Sequence, residues 1–202
     1  MNKQKIDAIV LAGGMSKRFG EENKLLSKIN NLPMILHIVL QLTIDEISDI
    51  TIITGFNSKK IKNALSGLKV NIIENTSYKN GIGSTLSLGV SNLSNKCDGV
   101  LICLADMPLL TSNDYKNLIN HHLKNSGPSK ITAPFIKNKR GNPIIWGKKF
   151  YTELMNIEQN VGGQNLLNNH KDAIIEFQTL SLSFFHDIDT PSDYKKLKFD
   201  EF

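Results

Sequence analysis

The run Leu11-Ala12-Gly13-Gly14-Met15-Ser16-Lys17-Arg18-Phe19-Gly20, closed by Lys24, gathers small residues and cations into one short stretch. Glycines after a strand let backbone N–H groups approach an anion closely. Lys17, Arg18 and Lys24 add positive charge within the same loop, and a polyphosphate needs both. A nucleoside triphosphate is therefore the first candidate ligand, with Ser16 and the glycines as polar contacts. The spacing is not that of a Walker A loop, because Glu21 and not Lys follows Gly20. Nor does Gly13-Gly14-Met15-Ser16 supply the dinucleotide pattern G-x-G-x-x-G. Taken alone, the segment also reads as a glycine turn with solvated cations.

Further acidic and small polar residues fall after other apolar runs. Asp106, in Ala105-Asp106-Met107-Pro108, follows the run Val100–Leu104, and Pro108 stops the strand. A carboxylate so placed suits hard Mg²⁺, which takes carboxylate, phosphate and water oxygens; a turn-forming Asp is the competing reading. Asp187 and Asp189 alternate across Ile188 and so face one side of an extended segment, where one of them could complete a metal shell. Asp189 or Thr190 could equally cap the last helix. In Asn75-Thr76-Ser77-Tyr78-Lys79-Asn80-Gly81-Ile82-Gly83-Ser84-Thr85, a strand gives way to a helix. Asn75, Gly83, Ser84 and Thr85 could there meet a nucleobase edge or ribose. A plain loop with Ser84 as the helix N-cap is the alternative.

No Ser/His/Asp or Cys/His arrangement is visible. His37 sits in an apolar helical stretch, His121 and His122 end a helix where positive charge is favoured, and His170 and His186 lack metal spacing. Cys97 and Cys103 have neither metal nor thioredoxin spacing. Cys103 lies in an apolar run and reads as core, as does Trp146 after Ile144 and Ile145.

The elements that must position these groups alternate along the chain. Strand-like runs are Ile6–Leu11, Ile50–Thr54, Val70–Glu74, Val100–Leu104, Ile131–Ala133, Pro143–Trp146 and Ile174–Phe177. Helix-period segments are Pro33–Leu42, Ser58–Leu65, Thr85–Leu93 and Ser112–Leu123, with a last helix after Thr190. Thr111 with Asp114, and Thr190 with Asp193, have capping-box spacing. Near-continuous apolar strands between helices imply a mostly parallel sheet covered on both faces. Arg140-Gly141-Asn142-Pro143 reads as a turn within a small antiparallel insertion. Ligands of such sheets bind beyond the carboxyl ends of the strands, where the polar signals above cluster.

A chain of 202 residues, 40% of them hydrophobic, suits one domain spanning 1–202. The net charge of +5 comes from scattered lysines without an aromatic-interleaved stripe, so no nucleic-acid partner is expected. No apolar run reaches the ~18 residues of a membrane span and no secretory leader is visible, so the expected location is cytoplasmic.

In order along residues 11–194, LAGGMSKRFG with NKLL, NTSYKNGIGSTLSLG, LADMPLL, RGNPIIW, QNVGGQNLL and DIDTPSDY resemble the motifs of the MobA-like nucleotidyltransferases. The likeness is nearest to the molybdenum cofactor cytidylyltransferase branch. It implies a three-layer α/β/α Rossmann-like fold and transfer of CMP from CTP, with Mg²⁺, to the terminal phosphate of molybdopterin, releasing pyrophosphate. A transient complex with a molybdenum hydroxylase is also implied. Carried onto this sequence, Leu11, Ala12, Gly13 and Gly14 line the base and phosphate site, Arg18 and Lys24 hold the triphosphate, and Asp106 binds Mg²⁺. Gly83, Ser84 and Thr85 lie near base and sugar. Ala12-Gly13-Gly14 is closer to the guanylyl-transferring branch than the Ala-Ala-Gly of many cytidylyl-transferring relatives. Asn160 and Gln164 stand where relatives carry Asp-x-Gly-Ala-Arg, and Phe19 replaces a more frequent Met. Guanylyl transfer, a sugar 1-phosphate acceptor, and a non-catalytic role in cofactor insertion are the competing functions.

Overall fold

The structure is a computed structural model that describes residues 5–20, 22–94, 97–125, 127–158 and 161–199. Its strands are β1 (Ile6–Ala12), β2 (Lys28–Ile29), β3 (Leu32–Pro33), β4 (Ile47–Thr54), β5 (Asn71–Glu74), β6 (Gly99–Leu104), β7 (Ile131–Ile136), β8 (Lys139–Arg140), β9 (Ile144–Gly147) and β10 (Ile174–Gln178). The helices are α1 (Met34–Leu42), α2 (Ser58–Ala64), α3 (Ile82–Ser91), α4 (Ser112–Asn125), α5 (Tyr151–Met155), α6 (Gln164–Asn169) and α7 (Pro191–Phe199).

The main sheet runs β10-β7-β9-β6-β1-β4-β5, with β8 on β7, and a separate hairpin joins β2 to β3. β1 pairs in parallel with β4 on one side and β6 on the other, so the strand order reverses at β1. Loops leaving β1 and β6 therefore diverge, and a crevice opens between them at their carboxyl ends. β9 runs against both its neighbours, β6 and β7, and β8 runs against β7.

Period-two alternation sorts β1 between two cores. Ala8, Val10 and Ala12 pack with α1, α2 and α4 through residues such as Met34, Ile61 and Leu118. Ile9 packs on the other face with Leu86 and Val90 of α3, Leu154 of α5 and Leu167 of α6. The result is the expected three-layer α/β/α arrangement. Both capping boxes form: Asp114 accepts from the backbone N and Oγ1 of Thr111 at 2.9 and 2.8 Å, and Asp193 does the same for Thr190. Trp146 is 2% exposed and lies edge-on to Phe150. Among the described residues, no helix is long and apolar enough to cross a membrane.

Four local expectations change. The turn of the antiparallel insertion is at Lys137, whose φ is 53°, while Arg140 belongs to β8. Gly141 then packs against the Phe184 backbone too tightly for a Cβ. Helix α3 starts at Ile82, not Thr85, with Gly81 (φ 111°) as its N-cap. Ser84, already inside the first turn, donates back to the Gly81 carbonyl at 2.8 Å. The β2–β3 hairpin, absent from the strand reading, turns on Asn30 and Asn31, both at positive φ, as a tight two-residue hairpin turn prefers.

The fourth change concerns His122. It is buried, not a solvated cation at a helix end, and its Nδ1 lies 2.8 Å from Thr132 Oγ1. Burial, then the neighbouring His121, pulls its pKa down to about 4. The unfolded chain thus binds a proton that the fold refuses between the ordinary value and about 4. Stability is expected to fall by roughly 2–3 kcal/mol as pH drops through that window. His122→Asn is expected to flatten this part of a melting-temperature profile measured from pH 7 to pH 4.

Candidate active site

The loop after β1 is fixed by its own side chains. Ser16 takes a left-handed conformation (φ 51°). Its Oγ donates to Asn23 Oδ1 at 3.3 Å and accepts from the Lys24 N–H at 3.2 Å. Asn23, 2% exposed, donates to the Phe56 carbonyl at 2.8 Å and accepts from Leu25 N at 3.0 Å. These bonds tie the loop to the β4–α2 connection and start the short 3₁₀ turn that carries Lys24 inward. Ser16 thus shapes the loop as well as lining it.

Close approach explains two glycines. A Cβ on Gly13 would sit 2.7 Å from Thr85 Oγ1, so the loop lies directly on the start of α3. A Cβ on Gly55 would meet the Tyr78 side chain at 2.6 Å and the Gly13 carbonyl at 2.7 Å. Thr85 is braced from behind by Asn75, whose amide donates to Ser84 Oγ at 2.9 Å and Thr85 Oγ1 at 3.1 Å. Asn75 Oδ1 accepts from Ser77 N at 2.9 Å, which completes the brace.

At the centre Lys24 meets the acidic residues. Its Nζ donates to Asp106 Oδ2 at 2.7 Å, to the Ile188 carbonyl at 2.8 Å and to Asp189 Oδ1 at 3.2 Å. Arg18 reaches Asp189 Oδ2 at 3.1 Å. The segments are held together by Ile188 N, which donates to the Asp106 carbonyl at 2.8 Å. Burial pushes the Asp106 carboxyl above the ordinary carboxylate range; Lys24 opposes this and nearby Asp187 adds to it. For Asp189, partial burial raises the carboxyl, but Lys24 and Arg18 together outweigh it and hold the group low. Asp106 Oδ1 is buried without a hydrogen-bond partner. It is the feature at this site best suited to a further cation.

Three clefts meet here. One of about 210 Å³ is lined by Leu11, Gly13, Gly14, Tyr78, Thr85 and Asp106, with Met15, Gly81, Ile82 and Leu104 beside them. A more open one, about 410 Å³, runs along Gly14 to Phe19 and ends at Lys24, Asp106 and Asp189. The third, about 210 Å³, shares Leu11, Ile82 and Leu104 with the first and extends over Trp146 to Arg140, Asn142 and Gln164. A groove at the opposite end of the sheet, between Leu42–Ile50 and Leu68–Asn71, holds none of these groups.

The sequence-derived residues separate accordingly. Leu11, Gly13, Gly14, Ser16, Arg18, Lys24, Thr85, Asp106 and Asp189 all line the first two clefts. Ala12 is in the core at 1% exposure, Gly83 is buried in α3, and Asn75 and Ser84 stand behind Thr85. Asp187 is exposed and lines neither cleft. Asn160 lies outside the described residues. Gln164 accepts a hydrogen bond from the Arg140 guanidinium, so Arg140 supplies a cation in the third cleft. Tyr78 and Ile82 also line the first cleft; in the sequence they look like packing residues, and their place beside glycines in a strand-to-helix loop is the available signal.

A sequence profile of the MobA-like NTP transferase domain matches residues 8–174. The chain belongs to the MobA-like NTP transferase family. Among curated proteins, the bifunctional protein GlmU of Clostridium kluyveri is 30% identical over 140 residues, 66% of this chain and 29% of that protein. The chain spans about a third of the length of the curated relatives it matches. Solved structures share the fold of this MobA-like chain. A nucleotidyl transferase from Methanothermobacter thermautotroptrophicus superposes with a TM-score of 0.81 at 17% identity, covering 97% of both chains. Rv0371C of Mycobacterium tuberculosis H37Rv, in complex with manganese, gives 0.76 at 17% identity, with 98% of this chain and 100% of that one covered. A cytidylyltransferase from Leptospira borgpetersenii gives 0.77 at 15% identity, covering 97% and 86%.

Proposed function

We propose that this chain, as a single domain over residues 1–202, transfers CMP from CTP to the terminal phosphate of a molybdopterin-type acceptor and releases pyrophosphate. The observation that carries the reading is Lys24 Nζ, 2.7 Å from Asp106 beneath the Gly13–Gly14 loop. It brings a phosphate-binding cation and a carboxylate to one point at the strand-order reversal.

The first cleft suits the nucleoside, with base and sugar between the glycine loop and Thr85. The triphosphate then lies along the open cleft toward Arg18 and Lys24. A divalent cation fits the same point: Asp106 offers an unpartnered oxygen, with Asp187 or Asp189 as a second carboxylate. Among the described residues no cluster of three or more metal-binding side chains occurs. Asp106 with one further carboxylate suits Mg²⁺, which takes one or two carboxylates and fills its shell with phosphate and water oxygens. Bound there, Mg²⁺ supplies positive charge against the phosphates.

The third cleft suits the acceptor. It is mostly apolar, its lining contains no carboxylate, and Arg140 provides a cation for an anionic group. A phosphate monoester, with a second pKa near ~6, attacks as the dianion, so no general base is needed. One acceptor oxygen forms a bond to the α-phosphorus as the bond from that phosphorus to the β-phosphate oxygen breaks. Arg18 and Lys24 stabilise charge on the leaving pyrophosphate.

A sugar 1-phosphate acceptor is the second reading, since the Arg140 cation of the third cleft suits any phosphate monoester and a fold does not fix its substrate. The test combines two measurements on the whole chain with Mg²⁺: melting temperature with CTP, GTP, ATP or UTP, and pyrophosphate release with molybdopterin or a hexose 1-phosphate. CTP at a hundred times its Kd is expected to stabilise the fold by about 2.7 kcal/mol, and molybdopterin to support turnover. A preference for GTP, or turnover with the sugar phosphate only, overturns the nucleotide or the acceptor assignment respectively.

A further inference from the structure

The Lys24 ammonium has three N–H donors, and three oxygens take them: Asp106 Oδ2 at 2.7 Å, the Ile188 carbonyl at 2.8 Å and Asp189 Oδ1 at 3.2 Å. Two of these oxygens are carboxylates of the proposed cation site. The side chain is 14% exposed, so water offers little substitute for a lost contact. The geometry points to Lys24 as the resident cation of this site in the nucleotide-free chain, displaced when a triphosphate draws its ammonium away.

Two consequences follow. A divalent cation binds weakly to the free protein, because at Asp106 Oδ1 it sits beside the ammonium held on Oδ2 and competes with it for the charge of one carboxylate. The nucleotide raises cation affinity and the cation raises nucleotide affinity by the same factor, since coupling between two ligands is reciprocal. The protein therefore takes nucleotide and cation together and does not store the cation between turnovers. This rests on the reading of Asp106 as a cation ligand.

The test is Mn²⁺ binding to the whole chain without nucleotide, followed by loss of the free-ion electron paramagnetic resonance signal. Lys24→Met is expected to tighten Mn²⁺ binding about tenfold or more, the scale of a charge-assisted hydrogen bond. Arg18→Met removes a charge from the same mouth without opening Asp106, and is expected to shift affinity less than about threefold by weaker, screened attraction. Adding Asp106→Asn to Lys24→Met is expected to abolish the gain. Equal affinity of wild type and Lys24→Met, with both weakened by Asp106→Asn, overturns the displacement but leaves Asp106 as the ligand. Tightening that ignores Asp106→Asn overturns both readings. Equal tightening by Arg18→Met reduces the effect to net charge and overturns the proposal. Melting curves check that each variant folds, and Lys24→Gln replaces Lys24→Met should the latter not fold.

Discussion

Asp106→Asn is expected to lower turnover by about 10²–10³-fold, with a melting temperature close to that of the wild type. Asparagine keeps the shape of the side chain and an oxygen that can accept from Lys24 Nζ, now 2.7 Å away. What it loses is the negative charge. The carboxylate is costly in this position, since burial pushes its pKa up. A neutral amide removes that cost and also weakens the bond to Lys24, from an ion pair to a hydrogen bond with one charged partner, so the two changes in stability offset one another. The loss should therefore appear in the chemical step. Pyrophosphate release at saturating nucleotide and acceptor measures it, and wild-type turnover by a folded Asp106→Asn protein would remove Asp106 from the reaction.

Lys24→Ala is expected to cost a similar factor in kcat, about 10²–10³, and to raise KM for the nucleotide as well. On the proposed displacement, Lys24 serves two partners in turn: the carboxylates in the free protein and the phosphates during transfer. Arg18 does not replace it, because Arg18 is 65% exposed and, among the described residues, pairs only with Asp189. Lys24→Arg separates charge from shape. It is expected to recover part of the nucleotide KM and little of kcat, because a planar guanidinium cannot make the same three contacts from this buried stem. Steady-state kinetics with varied nucleotide distinguishes the two parameters, and an unchanged kcat in Lys24→Ala would count against its role in the chemical step.

Much of this site is legible in the sequence for a local reason. Gly13, Gly14, Arg18 and Lys24 lie within one loop, and backbone freedom plus cationic side chains is a property that neighbours in sequence can show. Asp106 is legible because a carboxylate between an apolar run and Pro108 sits at a strand end almost wherever that strand goes. Thr111–Asp114 and Thr190–Asp193 are legible for the same reason, as capping is a bond between residues three apart. Asn75 and Ser84 show what such reading leaves open. Their polar groups suit a ligand by type, but in the fold they are spent on each other and on Thr85. His122 is where it fails: its place at the end of α4 suggests charge, whereas packing beneath β7 makes it neutral. Ser84 is not the N-cap either, since Gly81 takes that place three residues earlier.

The sequence by itself determined the alternation of strands and helices, the parallel sheet and the glycine- and cation-rich loop after the first strand, because periodicity, glycine freedom and capping act over a few residues. Only the tertiary structure decided which charges meet. Lys24, Asp106 and Asp189 are separated by as many as 165 positions, and β1 and β6 must pair side by side before their loops can join. Whether a carboxylate beside a lysine is solvated or shielded depends on what else packs there, and no stretch of neighbouring residues carries that information.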